Sequence, residues 1–292
     1  VEQLFPFPQF TFSSEVCALV MNHVSSNLNL IVNALNVTME KKFTVDPGLC
    51  TPTSITICGM FADQLTVVNN TALIDLFGQV AIHVPSQLTE LICPLVTDAR
   101  ILTPVIPENC FDVSAALDCK HEPEPFPSCK CDKTKATTPY YTQMYISKEP
   151  GRKNGTTLYC FTVDLVPDWA LHPMSACGSS ERLEKAEIYA DEVWRRNITG
   201  IRVRTNGGAP RWISPTWGTS GTNSMRVTPL RWDYTAAVGG EFCIELNIPL
   251  DSFCLGVRSC SVSLFNESKK CCSTYATALP YLPDFHFILP HS

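Results

Sequence analysis

Fifteen cysteines in 292 residues set the terms on which this chain can fold. Each thiol must bind a metal, stay reduced or pair, and spacing decides among these. Structural zinc sites use thiolates in C-x2–4-C pairs, completed by a second such pair or by paired histidines. This chain has one C-x-C (Cys129, Cys131), one adjacent pair (Cys271, Cys272) and no C-x-x-C, and its six histidines stand singly. Disulfides formed in an oxidising compartment are therefore expected, because thiols at this density are unusual in a reducing cytosol. No metal and no other cofactor is expected.

A second signal points the same way. Sequons of the form Asn-x-Ser/Thr occur at Asn36, Asn69, Asn154, Asn197 and Asn266. That is more than the roughly two expected by chance from 14 asparagines. Each occupied sequon predicts a surface position. The start, Val1-Glu2-Gln3, has neither a basic nor an apolar leader, so any signal peptide is expected to have been removed. No run of ~18 apolar residues could span a membrane. The formal charge of −6 excludes nucleic-acid binding through the overall field, and 45% hydrophobic residues argue against global disorder.

A boundary is expected at residues 121–127, His121-Glu-Pro-Glu-Pro-Phe-Pro127, where three prolines favour an extended linker. Residues 1–120 hold Cys17, Cys50, Cys58, Cys93, Cys110 and Cys119, an even set that can close on itself. Beyond the linker stand Cys129, Cys131, Cys160, Cys177, Cys243, Cys254, Cys260, Cys271 and Cys272, an odd set. One thiol is left over there, unless a bridge crosses between modules or chains.

Periodicity separates the two modules. In the first, Ser14 precedes a helical pattern of Val16, Leu19, Val20 and Val24, Thr71 precedes Leu73, Leu76, Phe77 and Val80, and Ser86 precedes a third pattern of Leu88, Leu91 and Ile92. Ser54-Ile-Thr-Ile-Cys58 alternates as a strand. In the second module, residues 128–277, Tyr159, Phe161, Val163 and Leu165 share one strand face. Phe242, Ile244, Leu246 and Ile248 share another, with Glu241, Glu245 and Asn247 opposite. Asn206-Gly207 favours a hairpin turn after Ile201-Arg-Val-Arg204, and Ser261-Val-Ser-Leu264 alternates again. The expected fold is α+β overall, with an N-terminal mixed helix/strand module and a C-terminal disulfide-rich antiparallel β-sandwich. Both ends, Leu4 to Phe10 and the tail over 278–292, are rich in proline and aromatics. They either lie on their own domains as edge strands or dock on neighbouring molecules, a route to self-assembly.

Chemistry is sparse. No nucleophile elbow, metalloprotease motif or phosphate loop occurs. Glu187, Asp191 and Glu192 could supply a carboxylate pair for glycoside hydrolysis, but acids of this kind are more often a solvated face, so no catalytic residue is assigned. One window stands out. Between Trp194 and Trp232 lie seven of the eleven arginines (Arg195, Arg196, Arg202, Arg204, Arg211, Arg226, Arg231) and no lysine or acid. The window carries +7 in a chain of −6, so the remainder carries −13. Trp212 and Trp217 lie inside it. Guanidinium groups suit carboxylate or sulfate and indoles suit sugar faces, so this is a candidate surface for acidic polysaccharide or a neighbouring glycoprotein. Alternatively the tryptophans are core and the arginines stack on their edges.

The cysteine framework of the second module resembles the pherophorin domain of green-algal extracellular-matrix glycoproteins. The matching residues are Phe126-Pro-Ser-Cys-Lys-Cys131, Pro139-Tyr140, Tyr159-Cys160-Phe161, Gly240-Glu-Phe-Cys-Ile244, Cys254, Cys260-Ser-Val-Ser-Leu-Phe265 and Cys271-Cys272. They span 126 to about 275. Cys17 and Thr56-Ile-Cys-Gly-Met-Phe61 resemble the companion segment of such proteins. Members often carry adjacent cysteines where this chain has Cys177-Gly178, which would account for the odd count. The resemblance implies a secreted, non-catalytic structural glycoprotein of matrix, cell wall or cell surface. Its partners would be other matrix or cell-surface glycoproteins, and the arginine window adds acidic polysaccharide as a candidate. A glycan-binding or secreted inducer role is the alternative, and a matrix hydrolase the third.

Overall fold

In the computed structural model the described residues are 1–3, 7–63, 70–96, 99–104, 114–119, 125–171, 177, 182–256 and 258–280. Cys110, Asn69, most of the proline linker and residues 281–292 of the tail lie outside them. The chain divides into two compact units, with the main division between His121 and Glu122.

The first unit is mixed. Its strands β1 (Glu2–Gln3), β4 (Ala99–Pro104) and β5 (Ser114–Asp118) form one antiparallel sheet in the order β1-β4-β5. Strands β2 (Met39–Thr44) and β3 (Cys58–Phe61) form a two-stranded one. Helix α1 (Ser14–Ala34) starts where the Ser13 hydroxyl accepts the Val16 amide at 3.3 Å, one residue earlier than the cap expected. Its face of Val16, Val20, Met21, Val24 and Ile31 is buried.

Two expectations are corrected here. The second and third helical patterns are one helix, α2 (Thr71–Ile92), capped by Asn70 and running straight through Pro85. Proline forfeits one interior hydrogen bond, but the buried stripe of Leu73, Phe77, Val80, Val84, Leu88 and Leu91 continues across it and outweighs that local preference. The strand expected over 54–58 begins only at Cys58, and Ile55 makes an isolated bridge to Cys50 instead. The Cys17–Cys50 disulfide ties this loop to α1 and competes with a longer strand. A second disulfide, Cys93–Cys119, joins the end of α2 to the residue following β5.

The second unit is a two-sheet antiparallel sandwich. Its strands are β6 (Tyr140–Thr142), β7 (Ser147–Pro150), β8 (Thr157–Leu165), β9 (Leu183–Tyr189), β10 (Ile198–Arg204), β11 (Arg211–Ile213) and β12 (Thr216–Trp217). They continue with β13 (Ser224–Val227), β14 (Gly240–Leu246), β15 (Cys260–Asn266) and β16 (Cys272–Thr277), and the short helices α3 (Tyr234–Ala237) and α4 (Leu250–Phe253) flank β14. One sheet has the order β11-β10-β14-β8-β6 with β7 added on β8, the other β12-β13-β9-β15-β16. The inner faces meet in one core: Tyr159, Phe161 and Val163 of β8, Ile201 and Val203 of β10, and Phe242, Ile244 and Leu246 of β14 pack against Ala186, Ile188, Met225, Val262 and Leu264. Phe161 and Phe242 stack with centroids 5.2 Å apart.

Several polar groups buried inside the sandwich are paired with one another. The Tyr275 hydroxyl, in a residue 1% exposed, accepts the Ala136 amide at 3.0 Å. Ser273 Oγ lies 2.9 Å from Thr137 Oγ1 and accepts the Thr138 amide at 3.2 Å, so the loop before β6 is sewn to β16. Tyr275→Phe leaves the Ala136 amide buried and unpartnered. The expected cost is about 1–2 kcal/mol, or roughly 3–6 °C in the midpoint of thermal unfolding. An unchanged midpoint would show that the loop draws nothing from this bond.

Candidate functional site

Among the described residues, the outer face of the six-stranded sheet carries the densest cluster of charged side chains and sulfur. Register arranges it in three rows. Gly200, Glu245, Leu158 and Glu149 lie across β10, β14, β8 and β7. Trp212, Arg202, Cys243, Cys160 and Ser147 form the next row, and Arg204, Glu241 and Thr162 the third. Alternation puts the apolar neighbours of these residues in the core, which is why this face is polar.

At its centre Cys160 and Cys243, directly opposed on adjacent strands, form a disulfide, and both residues are 0% exposed. Arg202 lies over it. Its Nη2 donates to Glu241 Oε1 at 2.7 Å and Glu149 Oε1 at 2.9 Å, its Nη1 to Glu149 Oε2 at 2.6 Å, and Nη2 sits 3.2 Å from Cys243 Sγ. Arg204 reaches the same Glu241 oxygen at 3.1 Å. Hydrogen bonds from Arg202 hold the Glu149 carboxyl below the usual range.

One row away, Glu245 has no side-chain exposure. It accepts the Arg152 amide at 2.6 Å, Arg152 Nε at 3.0 Å and Nη2 at 2.8 Å, the Thr156 hydroxyl at 2.9 Å and the Lys153 amide at 3.2 Å. Burial alone would raise its pKa. The hydrogen bonds from Arg152, Thr156, Thr199 and the Lys153 backbone outweigh burial and bring it down to about 2. The Arg152 guanidinium lies 3.3 Å above the Trp212 ring centre. Gly200 makes room, since a β-carbon there would stand 2.5 Å from Arg152 Nη2 and 3.2 Å from Trp212.

Three guanidiniums thus meet three carboxylates, and the face is internally neutral. Most of the arginine window is consumed in this way. Arg195 pairs with Glu192 at 3.7 Å, Arg226 with Glu187 at 3.2 Å and Arg231 with Glu184 at 4.0 Å, while Arg211 donates to the Pro229 carbonyl. Among the described residues only Arg196 of the seven has neither a carboxylate within 4.0 Å nor a hydrogen bond to a carbonyl. Trp232 is buried, Trp194 and Trp217 are half-buried against the core, and Trp212 lies under Arg152. Glu187 pairs with Lys185 and accepts the Ser224 hydroxyl at 2.8 Å. Asp191 caps the turn at Val193, and Glu192 holds the Ser220–Gly221 turn. All three acids weighed for hydrolysis are engaged in structural contacts.

Sequence reasoning missed Glu149, Arg152 and Gly200, which come to the site only through strand register, and read Glu241 and Glu245 as an outward face without their partners. The remaining bridges of this unit are Cys131–Cys272, Cys177–Cys271 and Cys254–Cys260, and Cys58 and Cys129 are exposed free thiols. Of the sequons, Asn36 and Asn154 are exposed, Asn197 donates to Asn247 at 2.7 Å, and Asn266 is 4% exposed with its amide bonded to Ser268.

Residues 126–273, which frame this sandwich, match the family model described as Pherophorin. The chain belongs to the pherophorin family. Its curated relatives include perphorin-1 of Volvox carteri, 28% identical over 94% of this chain and 56% of that protein. Perphorin-2 of the same organism is 26% identical over 92% of this chain and 58% of its own length. The chain therefore spans a little over half the length of these relatives. Pherophorin membership points to a protein of the extracellular matrix and so to secretion. No helix among the described residues is long and apolar enough to cross a membrane.

Proposed function

We propose that this chain is a structural, non-catalytic module of the extracellular matrix that acts by assembly and adhesion, with N-linked glycans at the exposed Asn36 and Asn154. The observation that carries this reading is the self-neutralised arginine–carboxylate face over a cross-strand disulfide, which devotes these charged side chains to rigidity. Incubation of the secreted chain with matrix polysaccharide should release no new reducing ends. Release that disappears in Glu187→Gln would overturn the reading in favour of a hydrolase.

The adhesive charge lies elsewhere than the arginine window. Lys130, Lys133, Lys269 and Lys270 are exposed and belong to none of the ion pairs within 4.0 Å among the described residues. The two segments are held together backbone to backbone, Asp132 N to Lys270 O at 2.9 Å and Cys272 N to Asp132 O at 2.8 Å. The four lysines therefore lie on two adjoining segments and form one cationic rim. Asp132 is occupied by the Thr134 amide and Glu267 by Arg182. Such a rim suits a polyanionic polysaccharide, and the contact weakens with salt. On an immobilised sulfated polysaccharide, the quadruple Lys→Gln variant should elute at markedly lower salt than the parent. Arg195→Gln with Arg211→Gln should shift elution little. The reverse ranking would return adhesion to the arginine window.

A further inference from the structure

The cysteine cluster at the start of the second unit holds a nucleophile beside a bond it can break. Cys129 is a free, exposed thiol, and its Sγ lies 3.5 Å from Cys131 Sγ, the sulfur already bonded to Cys272. The two segments that carry this bridge are tied backbone to backbone, since Asp132 N donates to Lys270 O at 2.9 Å and Cys272 N to Asp132 O at 2.8 Å. Only Lys130 separates the two cysteines in sequence, so they meet whenever the segment is folded. Disulfides rearrange by thiolate attack on one sulfur with expulsion of the other, and reacting atoms about 3–3.5 Å apart are already at the approach distance.

We propose that Cys129, Cys131 and Cys272 form a thiol–disulfide exchange centre, in which Cys129 displaces Cys272 from Cys131. The Cys129 thiol gives its proton to solvent. Its sulfur then bonds to Cys131 Sγ as the Cys131–Cys272 bond breaks, and the Cys272 thiolate leaves with the electron pair and is reprotonated. One disulfide is lost and one gained, so no oxidant or reductant is needed. A bridge spanning a sequence separation of 141 is exchanged for one spanning two residues. The tie between the domain's first segment and β16 opens, and the free thiol moves from an exposed loop to a residue with 0% exposure.

The surroundings set the pace. Partial desolvation of the sulfur, in a residue otherwise exposed, raises the Cys129 pKa and Glu187 adds to the rise, while Lys185 and Lys133 oppose it. Thiolate is therefore scarce at neutral pH and exchange quickens as pH rises. The exchange does not require the lysine rim to bind anything.

The test is differential alkylation of the intact, oxidised chain. Samples held at pH 7 and pH 8.5 are acid-quenched, denatured, labelled with maleimide and mapped without reduction. The expected result is label on Cys272 that grows with time and pH, matched by an equal loss of label from Cys129 and by a peptide containing a Cys129–Cys131 bridge. Cys129→Ser should abolish Cys272 labelling, and Cys58→Ser should leave it intact. Label confined to Cys129 at both pH values, with Cys131–Cys272 as the sole bridge, would overturn the proposal. So would Cys272 labelling that persists in Cys129→Ser.

Discussion

Glu245→Gln should lower the stability of the pherophorin unit by about 3 kcal/mol, the scale of losing charge-assisted hydrogen bonds at a buried carboxylate. In thermal unfolding this corresponds to roughly 6–12 °C. The glutamine keeps the volume, but its NH2 group must face one of the donors that Arg152, Lys153 and Thr156 now direct at Glu245. The acid limb of the stability profile supplies a separate check. The folded pKa, about 2, lies below the value near 4.3 of a free glutamate. Glu245 therefore stabilises the fold fully above about pH 4.5, and that contribution is lost as pH falls toward 2. The parent should lose stability steeply over that window, and Glu245→Gln should lose correspondingly less. Parallel acid limbs in the two proteins would show that the carboxylate is not held as described.

Arg202→Met should be comparably damaging. It leaves Glu241, whose side chain is 10% exposed, with Arg204 as its sole ion-pair partner, and it strips Glu149 of both its hydrogen bonds above the sulfurs. Breaking a buried pair costs ~3–5 kcal/mol. Glu149 is 40% exposed and can recover water, so a loss of about 3 kcal/mol is expected. Adding Glu241→Gln to Arg202→Met should restore about half of it, since the uncompensated charge is then gone. Losses that simply add in urea titrations would mean that the two side chains are not coupled.

The sandwich was legible because alternation is a local property: Tyr159, Phe161 and Val163, or Phe242, Ile244 and Leu246, mark their inner faces without reference to any other strand. The site was less so. That Arg202 lies opposite Cys243, and Cys243 opposite Cys160, is a matter of register between segments some forty and eighty residues apart, which no single segment encodes. Seven arginines in one window read as free positive charge until the acids that neutralise five of them, all outside that window, are brought alongside. In the first unit the misreadings had local causes. Pro85 suggested a break that the buried stripe of α2 overrides, and the alternation at 54–58 lies in a loop tied to α1 by Cys17–Cys50.

The Cys131–Cys272 bridge encloses nearly the whole sandwich, from before β6 to the first residue of β16. Tension arriving along the chain on either side passes from one sulfur to the other, and the strands between carry almost none of it. While that bond is closed, the segment between the two cysteines cannot be drawn out end to end, so strands β6 to β15 are shielded from a pull applied outside the bridge, whereas β16 beyond Cys272 is not.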